Sequence, residues 1–184
     1  RYKNEVLRNL TFDGKRYILM TAHRRENLGA PLENICRSVL RLVRSNPDVE
    51  VIYPVHLNPA VRETAFGILG NDPRIHLIDP IDVEDMHNIM SRSYLVMTDS
   101  GGLQEEGPHF GIPVVVLRTE TGRPAGVEAG TVVVAGTEEG DIFRIANELL
   151  NDESKYEKMA RSINPYGDGK ASERIIERIL AWND

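Results

Sequence analysis

Short apolar segments alternate with longer amphipathic segments along almost the whole chain. The apolar segments predict strands over residues 17–22, 49–55, 75–78, 94–98, 114–117 and 131–134. The amphipathic segments predict helices over residues 31–45, 59–69, 83–90, 102–110, 142–150 and 171–182. Strands that alternate with helices in this way form a parallel sheet, because each helix returns the chain to the same end of the sheet. The pattern therefore predicts an α/β fold of three layers, with helices on both faces of one parallel sheet.

The length and composition fit one such domain and argue against several kinds of partner. The chain has 184 residues, of which 41% are hydrophobic, and no apolar run is long enough to cross a bilayer. With a formal charge of -6, the chain lacks the clustered basic face that nucleic-acid binding needs. The single cysteine, Cys36, continues the apolar series of a predicted helix and is expected in the core. No targeting segment is apparent, so we expect a cytoplasmic protein that binds neither membrane nor nucleic acid.

Residues 99–107 combine glycines with the start of a predicted helix, directly after a buried strand. Gly101 and Gly102 let a ligand approach the backbone closely, and the N–H groups at a helix start favour a phosphate. Glu106 lies about a turn and a half further along, within reach of a hydroxyl group beside that phosphate. A diphosphate on the glycines and a ribose on Glu106 would make a nucleotide site. A helix capped by Ser100, without any ligand, is the alternative interpretation of the same residues.

Polar residues follow the predicted strands, and the carboxyl ends of parallel strands meet at one edge of a sheet, where ligands bind. These residues are His23, Arg24, Arg25, His56, Asp79, Asp99, Ser100 and Arg118. Histidines and arginines beside a helix start suit a phosphorylated, sugar-like substrate better than an apolar one. Since no His or Cys spacing resembles a metal-ligand set, we expect neither a metal nor a cofactor.

Several of the singled-out residues also have a structural interpretation. His23 could cap its own loop or pair with Glu26, although its place beside two arginines favours a functional role. His76, inside an apolar strand, and His87, on a predicted helix, are expected to be structural. Arg123 lies in a glycine-bearing loop, which is either a simple turn or a clamp on the nucleotide.

Five motifs occupy residues 21–27, 54–59, 98–106, 126–131 and 164–175. Together, and in this order, they closely resemble the non-hydrolysing UDP-N-acetylglucosamine 2-epimerases. That family has two Rossmann-like domains facing each other across a cleft, as in GT-B glycosyltransferases, and this chain is similar to the carboxyl-terminal half. The resemblance implies one UDP-binding domain over residues 1–184, whose last helix, at about 170–182, packs toward the amino-terminal domain.

The resemblance also implies a reaction and roles for particular residues. Members interconvert UDP-N-acetylglucosamine and UDP-N-acetylmannosamine, precursors of cell-surface polysaccharides, by eliminating UDP and adding it back. The implied UDP-binding residues are Ser100, Gly101 and Gly102 for the diphosphate, Glu106 for the ribose, and Arg123 for the phosphate or uridine side. His23 is the implied catalytic residue, which assists the departure of UDP. The carboxylates that act at C2 belong to the amino-terminal half, so we expect this isomerase domain alone to bind UDP without turnover.

A second UDP-sugar site, next to the first, is implied by Arg24, Glu26 and His56. These residues correspond to positions that line such a site in members regulated by their own substrate, and we expect the full-length protein to be a homodimer. Met86 stands where the family usually has an aromatic residue near the uracil. Ala125 stands where it often has an acidic residue, so both positions depart from the usual pattern of base recognition.

Three alternative functions stay open on the sequence. One is a hydrolysing 2-epimerase, which releases free N-acetylmannosamine and UDP, and another is a retaining GT-B glycosyltransferase. The third is a non-catalytic module that binds UDP-sugars. A glycosyltransferase of this kind usually carries two glutamates in the pattern E-x7-E. Here the residue seven places before Glu106 is Asp99, and no glutamate stands at the spacing of the pattern, which weighs against that alternative.

Overall fold

The structure, a computed structural model, describes residues 2–182 and contains one sheet of six strands. The strands are β1 Arg16–Thr21, β2 Val49–Pro54, β3 Ile75–Ile78, β4 Leu95–Thr98, β5 Val114–Val116 and β6 Val132–Val134. They lie in the order β3-β2-β1-β4-β5-β6, and every adjacent pair is parallel. This is the strand order of a Rossmann-like domain, so the predicted α/β fold is confirmed. Each predicted strand end lies within one residue of the observed end.

Helices cover both faces of the sheet. They are α1 Glu5–Arg8, α2 Ala30–Ser45, α3 Pro59–Leu69, α4 Val83–Met90, α5 Gly101–His109, α6 Pro124–Ala129, α7 Glu139–Asn151, α8 Glu153–Ala160 and α9 Ala171–Trp182. Successive side chains of a strand point to opposite faces. Ile18 and Met20 of β1 therefore pack with α2, α3 and α7, whereas Tyr17 and Leu19 pack with α1, α4 and α5. Cys36 is buried in the first of these two apolar clusters, as expected.

Three helices were not expected from the apolar pattern. Helices α1 and α6 are too short to establish a helical period, and α8, although as long as α4, buries no residue and so has no apolar face to signal it. Local caps mark all three instead, and at the start of α1 the Asn4 side chain accepts the Leu7 N–H at 3.2 Å. Helix α6 starts with Pro124 and ends at Gly130, whose φ of 78° is the left-handed conformation that glycine adopts readily. Helix α8 is capped by Asp152, whose side chain accepts the Lys155 N–H at 3.0 Å. The segment after Arg123, expected as a loop, therefore becomes a helix.

Helix α9 differs from the other long helices in having no buried residue. Its apolar side chains Ile175, Ile176 and Ile179 are each 57% exposed, and Leu180 is 64% exposed. Their spacing places them on one face of the helix, as the sequence pattern predicts. Within residues 2–182, no helix has the length and apolar character needed to cross a membrane.

Candidate functional site

The candidate site lies where the direction of the sheet order reverses, between β1 and β4. In an open parallel sheet the chain leaves the two central strands toward opposite faces, which opens a crevice at their carboxyl ends. The ends of β1 and β4 are joined side by side, since the hydroxyls of Thr21 and Thr98 are 2.6 Å apart. Thr98 Oγ1 also accepts the backbone N–H of Ser100 at 2.9 Å, which fixes the entry into α5.

The start of α5 is built to receive an anion. Ser100 occupies the N-cap position, but its side chain makes no capping hydrogen bond. The first N–H groups of a helix have no partner within the helix, so those of the Gly101–Gly102 turn are available to a ligand. A side chain at Gly101 would lie 3.5 Å from Nη2 of Arg123 and 3.9 Å from Nη2 of Arg24. Two guanidinium groups therefore flank a helix start that has no side chain to keep a phosphate away.

Arg123 is held in this place by residues of α5 and of the preceding loop. Its Nε forms an ion pair with Glu105, and its backbone N–H donates to Thr121 Oγ1 at 3.0 Å. The Thr121 hydroxyl lies 2.5 Å from Gln104 Oε1. The structure thus brings Arg123 to the glycine turn, as the clamp interpretation of its loop expects.

Glu106 lies one turn inside α5, with Oε1 3.5 Å from the position that a side chain at Gly102 would occupy. Its other oxygen, Oε2, is 3.2 Å from Nε2 of His87 on α4. The His87 contact was missed by the sequence interpretation, which expected that histidine to be structural. The pair is separated along the chain by β4, so no local pattern signals it.

A buried aspartate organises the loop after β1. Asp99 is fully buried, and its Oδ2 accepts the backbone N–H groups of His23 at 2.9 Å and Arg24 at 2.8 Å. The Asn27 side-chain amide donates to the same oxygen at 3.0 Å. The other oxygen, Oδ1, lies 3.2 Å from Nδ1 of His23. Asp99 therefore fixes the backbone of His23 by hydrogen bonds and places a carboxylate oxygen beside its imidazole, whereas Glu26, the partner considered from sequence, pairs elsewhere.

The Asp99–His23 contact changes the acidity of both groups. Burial by itself disfavours the Asp99 carboxylate, but the His23 side chain and the backbone N–H groups of Arg24 and His23 outweigh it, so the pKa of Asp99 is lowered. The Asp99 side chain in turn raises the pKa of His23, against the opposing effects of burial and the nearby Arg24 charge. Since Nδ1 faces Asp99, Nε2 is the ring nitrogen left to donate a proton to a ligand.

The three residues expected at a second site, Arg24, His56 and Glu26, each contact a different neighbour. Arg24 Nε donates to the Asp99 carbonyl at 3.1 Å, while its Nη2 faces Gly101 as described. The His56 ring stacks on the His23 ring, with centroids 5.7 Å apart and planes inclined by 10°. Glu26 Oε1 pairs with Arg118 Nε at 2.8 Å, which ties the loop after β1 to the end of β5.

Met86 and the two stacked histidines line the same depression. It has a volume of about 170 Å³, and its lining includes Ile81 and Leu103 as well as His23, His56 and Met86. A thioether and aliphatic carbons give this side of the crevice an apolar wall. Within the described residues, no three His, Cys, Asp or Glu side chains gather as metal ligands would.

Comparison with known proteins places this geometry in a family. The family model described as UDP-N-acetylglucosamine 2-epimerase matches residues 1–180. A protein of Thermotoga maritima named putative UDP-N-acetylglucosamine 2-epimerase is 60% identical over 179 residues, which are 97% of this chain and 47% of the relative.

Solved structures agree with the sequence match. The S. aureus MnaA structure with UDP superimposes with a TM-score of 0.92 at 51% identity, covering 98% of this chain and 49% of that one. A Neisseria meningitidis UDP-GlcNAc 2-epimerase structure with UDP-GlcNAc bound has a TM-score of 0.90 at 41% identity, covering 96% and 47% of the two chains. The chain thus spans about half the length of the relatives it matches. It belongs to the UDP-N-acetylglucosamine 2-epimerase family.

Proposed function

We propose that this chain is the UDP-binding half of an enzyme that interconverts UDP-N-acetylglucosamine and UDP-N-acetylmannosamine. The observation that carries the proposal is the pair of guanidinium groups, from Arg24 and Arg123, that flanks Gly101 at the start of α5. Two positive charges and the helix start together match a diphosphate better than a single phosphate. Ser100, Gly101 and Gly102 hold the diphosphate, and Glu106 accepts hydrogen bonds from the ribose.

The same residues supply what the departure of UDP requires. Breaking the bond between the anomeric carbon and UDP leaves negative charge on the phosphate oxygens, and the N–H groups of α5 with Arg123 stabilise that charge. His23, whose pKa is raised by Asp99, is suited to donate a proton or a hydrogen bond from Nε2 to the leaving oxygen. UDP elimination followed by re-addition is therefore the reaction that this half supports.

The chemistry at C2 needs an acid and a base that we assign to a second domain. The matched relatives are about twice as long as this chain, which leaves room for another domain of similar size. We propose that this chain is the carboxyl-terminal domain of a GT-B-like pair, and that its cleft is completed by the other half. On its own, the domain binds UDP without turnover.

The exposed face of α9 supports a covering domain. A single helix with several isoleucines more than half exposed is unusual in a chain whose other long helices bury their apolar sides. The motif over residues 164–175, which ends in the first turns of α9, also belongs to the resemblance on which the two-domain arrangement rests. We assign the α9 face to contact with the amino-terminal half.

The glycosyltransferase alternative is disfavoured by the position of Asp99. No glutamate stands at the E-x7-E spacing before Glu106, and Asp99, seven places before it, is fully buried and bonded to His23, Arg24 and Asn27. The hydrolysing and non-catalytic alternatives depend on carboxylates outside this chain. Assaying the full-length protein for UDP-N-acetylmannosamine, free N-acetylmannosamine and UDP separates them from the proposal.

Arg24, Glu26 and His56 are proposed to line a second UDP-sugar site. Their support is proximity, since His56 stacks on His23, and Arg24, which flanks the diphosphate at Gly101, borders both sites. A UDP-sugar bound there would contact the ligand of the first site directly. A full-length homodimer and a cytoplasmic location complete the proposal.

Titration calorimetry of the chain with UDP and with UMP tests the binding function. We expect tighter binding of UDP, because the second phosphate adds charge-assisted hydrogen bonds at the α5 start. Equal affinities, or no binding of either nucleotide, would remove the diphosphate assignment.

A further inference from the structure

Tyr166 connects the segment before α9 to the first turn of α6. Its hydroxyl accepts the Gly126 N–H at 3.0 Å and donates to the Arg123 carbonyl at 3.3 Å. Tyr166 itself is held by a turn, since its backbone N–H donates to Asn164 Oδ1 at 3.0 Å. Burial raises the pKa of Tyr166 despite the opposing Gly126 hydrogen bond, so the hydroxyl keeps its proton at neutral pH.

The turn that Tyr166 bridges is also held at each end by a threonine. The Arg123 N–H donates to Thr121 Oγ1, and the Thr131 N–H and hydroxyl both donate to the Gly126 carbonyl. Tyr166 adds a contact that joins the two ends. Arg123 is the N-cap residue of α6 and makes no side-chain capping bond there. Within the turn, the Gly126 N–H reaches the Arg123 carbonyl only at 3.3 Å. A helix of six residues contributes little stability by itself, so contacts from outside determine where it starts.

The Tyr166 contact is close-packed as well as hydrogen-bonded. A side chain at Gly126 would lie 2.6 Å from the Tyr166 oxygen and 2.9 Å from Val132 Cγ2. Both distances are too short for a carbon atom, so the glycine is what lets the phenol reach the backbone. The sequence motifs containing Gly126 and Tyr166 therefore meet in space at this point.

We propose that Tyr166 is a positioning residue for Arg123, and through it for the diphosphate of UDP. By bridging the first turn of α6, the phenol fixes the backbone from which the Arg123 side chain extends toward Gly101. The inference rests on the proposed diphosphate site. It adds that the segment leading to α9 is attached, through Tyr166, to the turn that carries Arg123. Movement of that segment should therefore change how Arg123 contacts the diphosphate of UDP.

The test compares Tyr166→Phe with Tyr156→Phe by calorimetry with UDP and UMP. Tyr156 stacks on Tyr94, which directly precedes β4 at the amino-terminal ends of the strands. Its variant therefore removes a hydroxyl at the end of the sheet away from Arg123. We expect Tyr166→Phe to weaken UDP binding about three- to tenfold, from the loss of hydrogen bonds that fix Arg123. UMP binding should change less than about twofold, and Tyr156→Phe should change neither.

A double-variant cycle separates positioning from general loosening. In an Arg123→Ala background, Tyr166→Phe should cause no further loss of UDP affinity, because its effect passes through Arg123. Equal losses for UDP and UMP, an undiminished loss in the Arg123→Ala background, or an unchanged UDP affinity would each overturn the inference. If the unaltered chain does not prefer UDP to UMP, the proposed diphosphate site fails first and the role of Tyr166 falls with it.

Discussion

At the scale of single residues, the proposed UDP site consists of side chains whose partners are distant along the chain. The strand ends predicted the place of His23, and the glycine-bearing segments predicted those of Glu106 and Arg123; all three lie at the carboxyl ends of the strands. Their partners could not be predicted, because Asp99 and His23 are separated by 76 residues and meet only when β1 and β4 pair. Glu26, a local partner, was one structural alternative considered from sequence, but its carboxylate pairs with Arg118 instead.

Replacing Glu106 with alanine should weaken UDP binding by about 1.5–3 kcal/mol, the range for a hydrogen bond to a charged group. The side chain is partly exposed, so folding should be little affected. Calorimetry and thermal melting of the same sample measure both effects, with Glu63→Ala on an exposed face of α3 as the matched control. A melting temperature far below that of the control would make Glu106 structural and contradict its ribose role.

Replacing His23 with asparagine in the full-length protein should slow UDP elimination severely, because the leaving oxygen loses its proton donor. Solvent deuterium exchange at C2 distinguishes the steps. If the variant cleaves the anomeric bond at the normal rate but loses exchange or inversion at C2, His23 acts in proton transfer at C2 and not in the departure of UDP.

The stability of the His23–Asp99 pair should depend on pH in a defined direction. The raised pKa of His23 adds stability that is fully present below about pH 6.5 and is lost as pH rises through the folded value. The lowered pKa of Asp99 adds stability present above about pH 3.9 and lost as pH falls through its folded value. Urea unfolding should therefore show the largest deficit of His23→Asn near pH 5 and a smaller one at pH 8. A deficit that grows with pH would contradict the pairing.

At the scale of elements, the alternation of apolar and amphipathic segments was sufficient to predict the strands and the longer helices. The apolar period does not predict α1 and α6, because such short helices depend on caps and tertiary contacts, and it does not predict α8, because that helix buries no residue. The missed helix α6 affects the candidate site, because its N-cap residue is Arg123. The Pro124 and Gly130 signals at its ends were the available clue.

The packing of α5 on β5 sets the position of the phosphate turn and can be tested at Gly107. A methyl group there would lie 2.5 Å from Val114 Cγ2, so Gly107→Ala must push α5 away from the sheet. We expect a loss of about 1–3 kcal/mol in the free energy of unfolding, typical of overpacking, with weaker UDP binding. Gly140→Ala in α7 has open space around it and should be neutral or slightly stabilising. Urea unfolding that shows equal stability for both variants would contradict the close α5–β5 contact.

At the scale of the whole molecule, the proposed second domain would explain both the exposed α9 face and the match to about half of each relative. The amphipathic pattern of α9 was evident from sequence, but a pattern does not tell which surface it will cover. In the isolated chain, Ile176→Gln with Ile179→Gln should change the free energy of unfolding by less than about 0.5 kcal/mol, as surface substitutions do. In the full-length protein the same pair should lower the melting temperature and the epimerase rate, whereas the neighbouring Glu177→Gln should not. Unchanged behaviour in the full-length protein would contradict the interdomain role of α9.

The central claim is that the glycine turn at the start of α5 holds the diphosphate of UDP. Amide chemical shifts in a nitrogen-15 NMR titration report on that turn directly, with uridine as the ligand that lacks the phosphates. We predict that UDP causes the largest shifts at Gly101 and Gly102, together with the Arg123 side chain, and that uridine leaves these signals nearly in place. If UDP shifts residues elsewhere and leaves the glycine signals unmoved, the diphosphate does not bind at this turn.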